Sequence, residues 1–464
     1  MYIKQLYTSC LAEAAYYIES NGEAVIIDPL RETTPYLELA AERGTKIKYV
    51  FETHFHADFV SGHIDLAKKT GASIVYGPGA KPNYDIIEAT DNQEFEVGAI
   101  KIKVLHTPGH TIESSCYLLI DEHGKEHAVF TGDTLFIGDV GRPDLAIKPN
   151  LTREDLAGML FDSLRNKVMT LGDDVILYPG HGAGSSCGKN LSSETVCSIG
   201  EQKKSNYALQ DISKAQFINE VTDGILPPPK YFAKDAMKNK EGYDSIDDIV
   251  AKGMTALSIE AFKSNMETAL VLDTRHQQTF VKGFIPESLF IGIDGSFATW
   301  VGEMIDDLNQ PIILITEEGR EEETIIRLAR VGYDNVLGYL DGSFDTWKNA
   351  DEIVWDGISI NAEEFKALAE ANIDGSIMDV RKPSEYDTLK LEDADNYSLS
   401  DLESLIEHID ENEKFYVHCR SGYRSMIAIS ILKAHGIHNL VEIDGGIIAI
   451  ENVGMEVVSS IEAE

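Results

Sequence analysis

Four short segments constrain this chain more than anything else in it. They are Thr53-His54-Phe55-His56-Ala57-Asp58-Phe59, Thr107-Pro108-Gly109-His110, Thr131-Gly132-Asp133-Thr134 and Tyr178-Pro179-Gly180-His181. Each comes at or just past a β-branched or aromatic run, so each delivers an imidazole or a carboxylate at a strand end, where α/β folds place ligands. The runs at 24–28, 49–54, 100–105, 128–130 and 175–178 predict strands, and 34–43 and 63–70 predict helices between them. His54 and His56, two apart, can both turn toward one ion from a strand end, and Gly supplies the backbone such turns need. A lone histidine of this kind reads as a capping or surface residue. Four segments in this order read as one metal site, in a chain that puts eight of its 13 histidines before residue 185.

At 464 residues the chain is too long for one core, and about 150 residues per domain suggests about three domains. The first spans 1–220. Leu226-Pro227-Pro228-Pro229-Lys230 cannot sit in a helix interior or a central strand, and predicts an extended linker over 221–252. Beyond it lies a weak internal repeat. Residues 269–275 match 376–381, 312–316 match 415–418, and each copy ends in a turn, Asp341-Gly342 or Asp444-Gly445-Gly446. Strand–helix alternation of this kind predicts two parallel-sheet domains related by duplication, 253–350 and 355–464.

The net charge of −38 excludes nucleic acid and an anionic membrane as partners, and requires local positive groups wherever an anion binds. No apolar run approaches the roughly 20 residues that span a bilayer, and the opening residues lack a signal peptide's pattern, so a cytoplasmic protein is expected. The five cysteines are odd in number, scattered and free of any CxxC pair, which excludes a disulfide framework and a zinc knuckle.

One of those cysteines stands in a distinctive place. Val417-His418-Cys419-Arg420-Ser421-Gly422-Tyr423-Arg424-Ser425 runs from an apolar strand through a tight loop into an apolar helix. Successive N–H groups at a helix start favour an anion, and the same field favours a thiolate. Arg420 and Arg424 add positive charge, so the loop can carry sulfane sulfur on Cys419 and hold an anionic acceptor such as sulfite. The segment, with Asp379-Val380-Arg381 and Glu385-Tyr386 before it, resembles the rhodanese active site. Its four residues between Cys419 and Arg424 set it apart from the phosphatase cradle, which has five. The matching stretch of the middle copy, Thr316-Glu317-Glu318-Gly319-Arg320, has no cysteine and is two residues shorter when measured to Gly332 and Gly436. Residues 253–350 are therefore expected to be an inactive rhodanese-like domain.

The four N-terminal segments resemble the metallo-β-lactamase superfamily, whose pattern is H-x-H-x-D-H followed by separate His, Asp and His. The resemblance implies an αββα sandwich with the metal at one edge. Phe59 stands where that pattern has its third histidine, and a phenyl ring has no lone pair for a second metal. A mononuclear site is thus expected. The surrounding stretches, including Gly138-Asp139-Val140-Gly141-Arg142-Pro143-Asp144 and Gly182-Ala183-Gly184-Ser185, resemble persulfide dioxygenases fused to rhodaneses. That branch implies one Fe(II) per chain on His54, His110 and Asp133, with His56, Asp58 and His181 near the site. In dinuclear relatives His56 is a ligand too.

Two residues keep two readings each. Arg142 either grips a substrate carboxylate or satisfies its own turn. Cys187, with Lys189 close enough in sequence to lower its pKa, is either a sulfur-relay thiol or a structural cysteine. The resemblance implies oxidation of a small-molecule thiol persulfide by O2 to sulfite, followed by sulfur transfer at Cys419 to give thiosulfate, in a homo-oligomer. The alternatives are a zinc-dependent glyoxalase II-like thioester hydrolase fused to a sulfurtransferase, and a rhodanese pair that only binds.

Overall fold

The computed structural model describes residues 1–371 and 374–460. The chain forms two compact units, Met1–Asp248 with Ile326–Tyr333, and Ile249–Ile325 with Asp334–Glu464.

The first unit holds two six-stranded sheets. One runs in sequence order through β1 (Tyr2–Thr8), β2 (Glu13–Ser20), β3 (Glu23–Ile27), β4 (Lys46–Phe51), β5 (Ser73–Tyr76) and β6 (Ile87–Glu88). The other comprises β7 (Glu94–Val97), β8 (Ile100–His106), β9 (Ser115–Ile120), β10 (Glu126–Gly132), β11 (Ile176–Pro179) and β12 (Cys197–Ser198), also in sequence order. Side chains alternate between strand faces, and both faces here are apolar. Tyr16, Ile18, Val25 and Ile27 point between the sheets toward Tyr117, Leu119 and Phe130. Ala15, Tyr17, Ala24 and Ile26 point outward onto Tyr36, Leu39 and Leu66 of the helices Thr34–Arg43 and His63–Thr70. The second sheet does the same: Leu118, Val129 and Leu177 meet Leu160, Phe217 and Val221 of the helices Arg153–Ser163 and Lys214–Thr222. The result is the αββα sandwich, with the two early helices where the sequence predicts them.

The Pro-rich stretch is not an open spacer throughout. It is free of regular structure over 225–229, but the helices Phe232–Glu241 and Ile246–Gly253 follow it. Asn239, on the first of these, is only 1% exposed. The correction has a simple cause: prolines forbid helix only where they stand, and the residues after them are free to coil.

The second unit holds two five-stranded parallel sheets with one topology. The first is built from β13 (Ala256–Leu257), β14 (Leu270–Asp273), β15 (Leu289–Phe290), β16 (Ile312–Ile315) and β17 (Val336–Leu340), in the order β13-β17-β16-β14-β15. The second uses β18 (Ile358–Ile360), β19 (Ser376–Asp379), β20 (Ala394–Asn396), β21 (Phe415–His418) and β22 (Leu440–Ile443), in the order β18-β22-β21-β19-β20. The repeat read from the sequence is therefore a repeat of fold. Among the described residues, no helix is long and apolar enough to cross a membrane.

Candidate functional site

His54, His110, Asp133 and His181 all lie just past the ends of strands, β4, β8, β10 and β11 respectively. The ligand atoms of His54, His110 and Asp133 are within 4.8 Å of one another, and all three residues are buried. His110 Nε2 is 3.5 Å and His54 Nε2 3.9 Å from Asp133 Oδ2, too long for hydrogen bonds. Glycine makes the approach possible: a Cβ on Gly180 would sit 2.8 Å from Asp133 Oδ1.

Hydrogen bonds behind the ligands fix their tautomers. Thr53 Oγ1 donates to Asp28 Oδ2 at 2.8 Å, which leaves its lone pair for a proton on His54 Nδ1, 3.0 Å away. His110 Nδ1 is 2.9 Å from the Arg142 carbonyl and His181 Nδ1 is 3.1 Å from that of Ala12. In each ring the proton is held on Nδ1, so the bare Nε2 faces the site. Burial, and then the neighbouring imidazoles, push His54 well below its usual pKa, which keeps it neutral.

The site passes a test for a cation. His110 Nε2, both oxygens of Asp133 and Oδ1 of Asp58 are buried without a hydrogen-bond partner. An unsatisfied buried polar atom costs about 1–3 kcal/mol, and more when charged, so a positive ion among these lone pairs would offset that cost. Two imidazoles and a carboxylate suit non-haem iron, and also zinc.

His56 turns elsewhere. Its Nε2 lies 3.1 Å from Asp28 Oδ1 and 3.5 Å from Glu52 Oε2. Burial alone would lower its pKa, but Asp28, Glu52 and Asp58 outweigh it and hold the ring up at about 9. Phe59, fully buried, lies against that ring with centroids 4.4 Å apart. Asp58 and His181 instead meet Cys187, their ligand atoms within 4.8 Å of one another. The thiol is pushed well above its usual pKa by burial first, then by Asp58 and Asp133.

Lys189, Arg142 and Arg424 are each held by other groups of the protein. Lys189 does not activate Cys187; its ammonium donates to the carbonyls of Glu220 and Asp223 at 2.6 and 2.9 Å. The guanidinium of Arg142 is taken up by Asp144 at 2.7 and 2.8 Å and by the carbonyls of Ser186 and Leu226, so the geometry matches the turn-satisfying reading. Arg424 is likewise engaged: it forms a two-pronged pair with Glu385 at 2.6 and 2.8 Å, which braces the loop, while Arg420 is exposed and has no ion-pair partner among the described residues.

Sequence reasoning missed the residues behind the ligands. Asp28 follows an apolar strand just as His54 does, and that parallel could have found it. Asn239 gave no signal. Its side chain accepts from Ser61 N at 2.9 Å and donates to the carbonyls of His56 and Phe59 at 2.8 and 2.7 Å, tying down the loop that carries His54 and Asp58.

In the second unit, Cys419 follows β21 and is 1% exposed. The Gly422 N–H donates to its Sγ at 3.2 Å, just before the helix Tyr423–Ala434. The turn after β22 packs behind it so tightly that a Cβ on Gly446 would lie 2.4 Å from the Cys419 carbonyl. The middle domain supports the same loop. Tyr423 donates to the Gly292 carbonyl at 2.6 Å, and Gln278 to Asp444 at 2.9 Å.

Residues 9–181 match the metallo-beta-lactamase superfamily, and 258–350 and 361–452 each match the rhodanese-like domain. A solved metallo-beta-lactamase from Staphylococcus aureus is similar with a TM-score of 0.64 and 32% identity, over 73% of this chain and 98% of its own. A probable hydroxyacylglutathione hydrolase of Schizosaccharomyces pombe is 31% identical over 35% of this chain, which spans only 60% of that relative's length. The hydroxyacylglutathione hydrolase of Pelagibacter ubique is 30% identical over 37% of this chain and 68% of its own. The chain belongs to the metallo-β-lactamase superfamily and carries two rhodanese-like domains in tandem behind that fold.

Proposed function

We propose that the first unit is a non-haem iron persulfide dioxygenase and that the last domain is a sulfurtransferase using its product. The observation that carries this reading is the triad of His54, His110 and Asp133, with His56 turned to carboxylates and Phe59 in the place of a metal-binding histidine. An Fe(II) held by that triad would supply the redox chemistry for adding O2 to sulfur. The protein's own part is to hold two imidazoles with Nε2 inward, through Thr53 and the Arg142 carbonyl, and to enclose the reacting sulfur. The first reaction is RSSH + O2 + H2O → RSH + SO3²⁻ + 2H⁺. Cys419 then takes the outer sulfur of a second persulfide and passes it to sulfite: RSSH + SO3²⁻ → RSH + S2O3²⁻.

A second reading, a zinc thioester hydrolase, is favoured by the names of the curated relatives and by the Asp58–His181–Cys187 group, which could hold another ion. Metal analysis with two substrates separates them. The dioxygenase reading expects one iron per chain, O2 uptake with glutathione persulfide and no hydrolysis of S-lactoylglutathione. Two zincs per chain with thioester hydrolysis and no O2 uptake would replace it with the hydrolase.

A further inference from the structure

An anion-binding loop backed by a buried carboxyl is an electrostatic contradiction. Glu442, on β22, is fully buried directly behind the Cys419 loop. Its Oε1 lies 3.4 Å from Ser425 Oγ, and Ser425 Oγ lies 3.7 Å from Cys419 Sγ, with the thiol set to donate to the serine and the serine to the carboxylate. Its other oxygen accepts from Ser359 Oγ of β18 at 2.7 Å. Around it stand Ser359, Ser425, the Gly422 backbone and, on its own strand's exit, the carboxyl of Asp444. No basic side chain pairs with it among the described residues.

The middle domain shows what the position looks like without a thiol. β13 pairs Ala256 with Tyr339 where β18 pairs Ser359 with Glu442. The carboxyl and its serine partner are found only in the copy that has the cysteine.

We propose that Glu442 is a positioning residue for the proton of the sulfur-transfer step, accepting it from Cys419 through Ser425 and returning it. The inference rests on the sulfurtransferase reading of Cys419. As the Cys419 sulfur bonds to the outer sulfur of a donor, its proton passes to Ser425 Oγ and the serine's own proton to Glu442. The bond between the outer sulfur and the rest of the donor breaks, and that electron pair leaves with the donor remnant. With thiosulfate as donor, Cys419–SH + S2O3²⁻ + Glu442–COO⁻ gives Cys419–S–S⁻ + SO3²⁻ + Glu442–COOH. When sulfite attacks the outer sulfur, Cys419 departs as thiolate and Glu442 gives the proton back. The contradiction is thereby removed: the carboxyl is neutral whenever the loop holds sulfur anions. Burial first, and then Asp444, hold Glu442 up at about 7, the range such a relay needs.

The test is anaerobic single-turnover sulfite release from saturating inorganic thiosulfate, followed against pH in the full chain. Wild type should speed up as pH rises through about 7, where Glu442 ionises. It should be roughly tenfold slower one pH unit below that midpoint. Glu442→Gln should lose this limb centred near 7. Ser425→Ala should do the same with the carboxyl still present, and carries the test alone if Glu442→Gln does not fold. A purely structural role would lower the rate equally at every pH. A limb still centred near 7 in either folded variant overturns the inference. No sulfite release from the wild type at any pH overturns the sulfurtransferase reading itself, a different and distinguishable failure.

Discussion

β16 of the middle domain and β21 of the last occupy the same place in sheets of the same order, yet one is followed by Thr316 and Glu317 and the other by Cys419. What the two copies share is interior. Each has a buried carboxylate at the end of its second strand, Asp273 or Asp379, gripped by an arginine two residues on, Arg275 or Arg381, at 2.6 and 2.5 Å. Each of those arginines also donates to a backbone carbonyl, that of Gly283 or of Leu389. What they do not share is the loop. In the middle domain Arg320 faces Asp294 and Glu323, and nothing there offers a sulfur or a free cation. The comparison teaches that the fold's stability and its chemistry are housed separately, so that a copy can lose the second and keep the first. The middle copy then serves the last one through Gly292 and Gln278, which hold Tyr423 and Asp444.

The largest effect should come from the thiol. Cys419→Ser should abolish thiosulfate-to-cyanide sulfur transfer, since a hydroxyl cannot store sulfane sulfur. Transfer surviving that change would mean that another residue carries the sulfur and that the two loops are alike in function.

Next comes the shared interior. Arg275→Ala and Arg381→Ala each leave a buried carboxylate without its partner, and each should cost about 3–5 kcal/mol of stability in urea unfolding. Similar losses in both domains support a common structural role. A loss confined to Arg381 would make that arginine part of the site.

The smallest effect should be at Glu317. Glu317→Gln should change stability by no more than about 0.5 kcal/mol and leave sulfur transfer at the wild-type rate. A fall in that rate would give the middle loop a part in the reaction.

Legibility in the sequence followed range. Strand ends, the helices Thr34–Arg43 and His63–Thr70 and the duplicated sheet were readable, because periodicity and turn chemistry are local, whereas His54, His110 and Asp133 were singled out as a set by the family resemblance, and the fold brings their ligand atoms within 4.8 Å of one another. The helices after the prolines were missed because composition there signals a spacer, while Asn239 owes its place to contacts about 180 residues away. Arg142 finds the Leu226 carbonyl 84 residues on, and Arg424 finds Glu385 39 residues back. A guanidinium next to a site announces positive charge, but only the fold shows whether a carboxylate of the protein has already taken it up.

The central claim is that sulfur is oxidised at one site and transferred at another. Aerobic turnover of glutathione persulfide by wild type and Cys419→Ser, with O2, sulfite and thiosulfate measured together, tests it most directly. The account predicts equal iron content and nearly equal O2 uptake, with thiosulfate from the wild type and sulfite accumulating in its place in the variant. Thiosulfate formed by the variant at the wild-type rate would contradict it. So would a variant that is folded and iron-loaded but no longer consumes O2, because sulfur would then have to pass through Cys419 before it reached the metal.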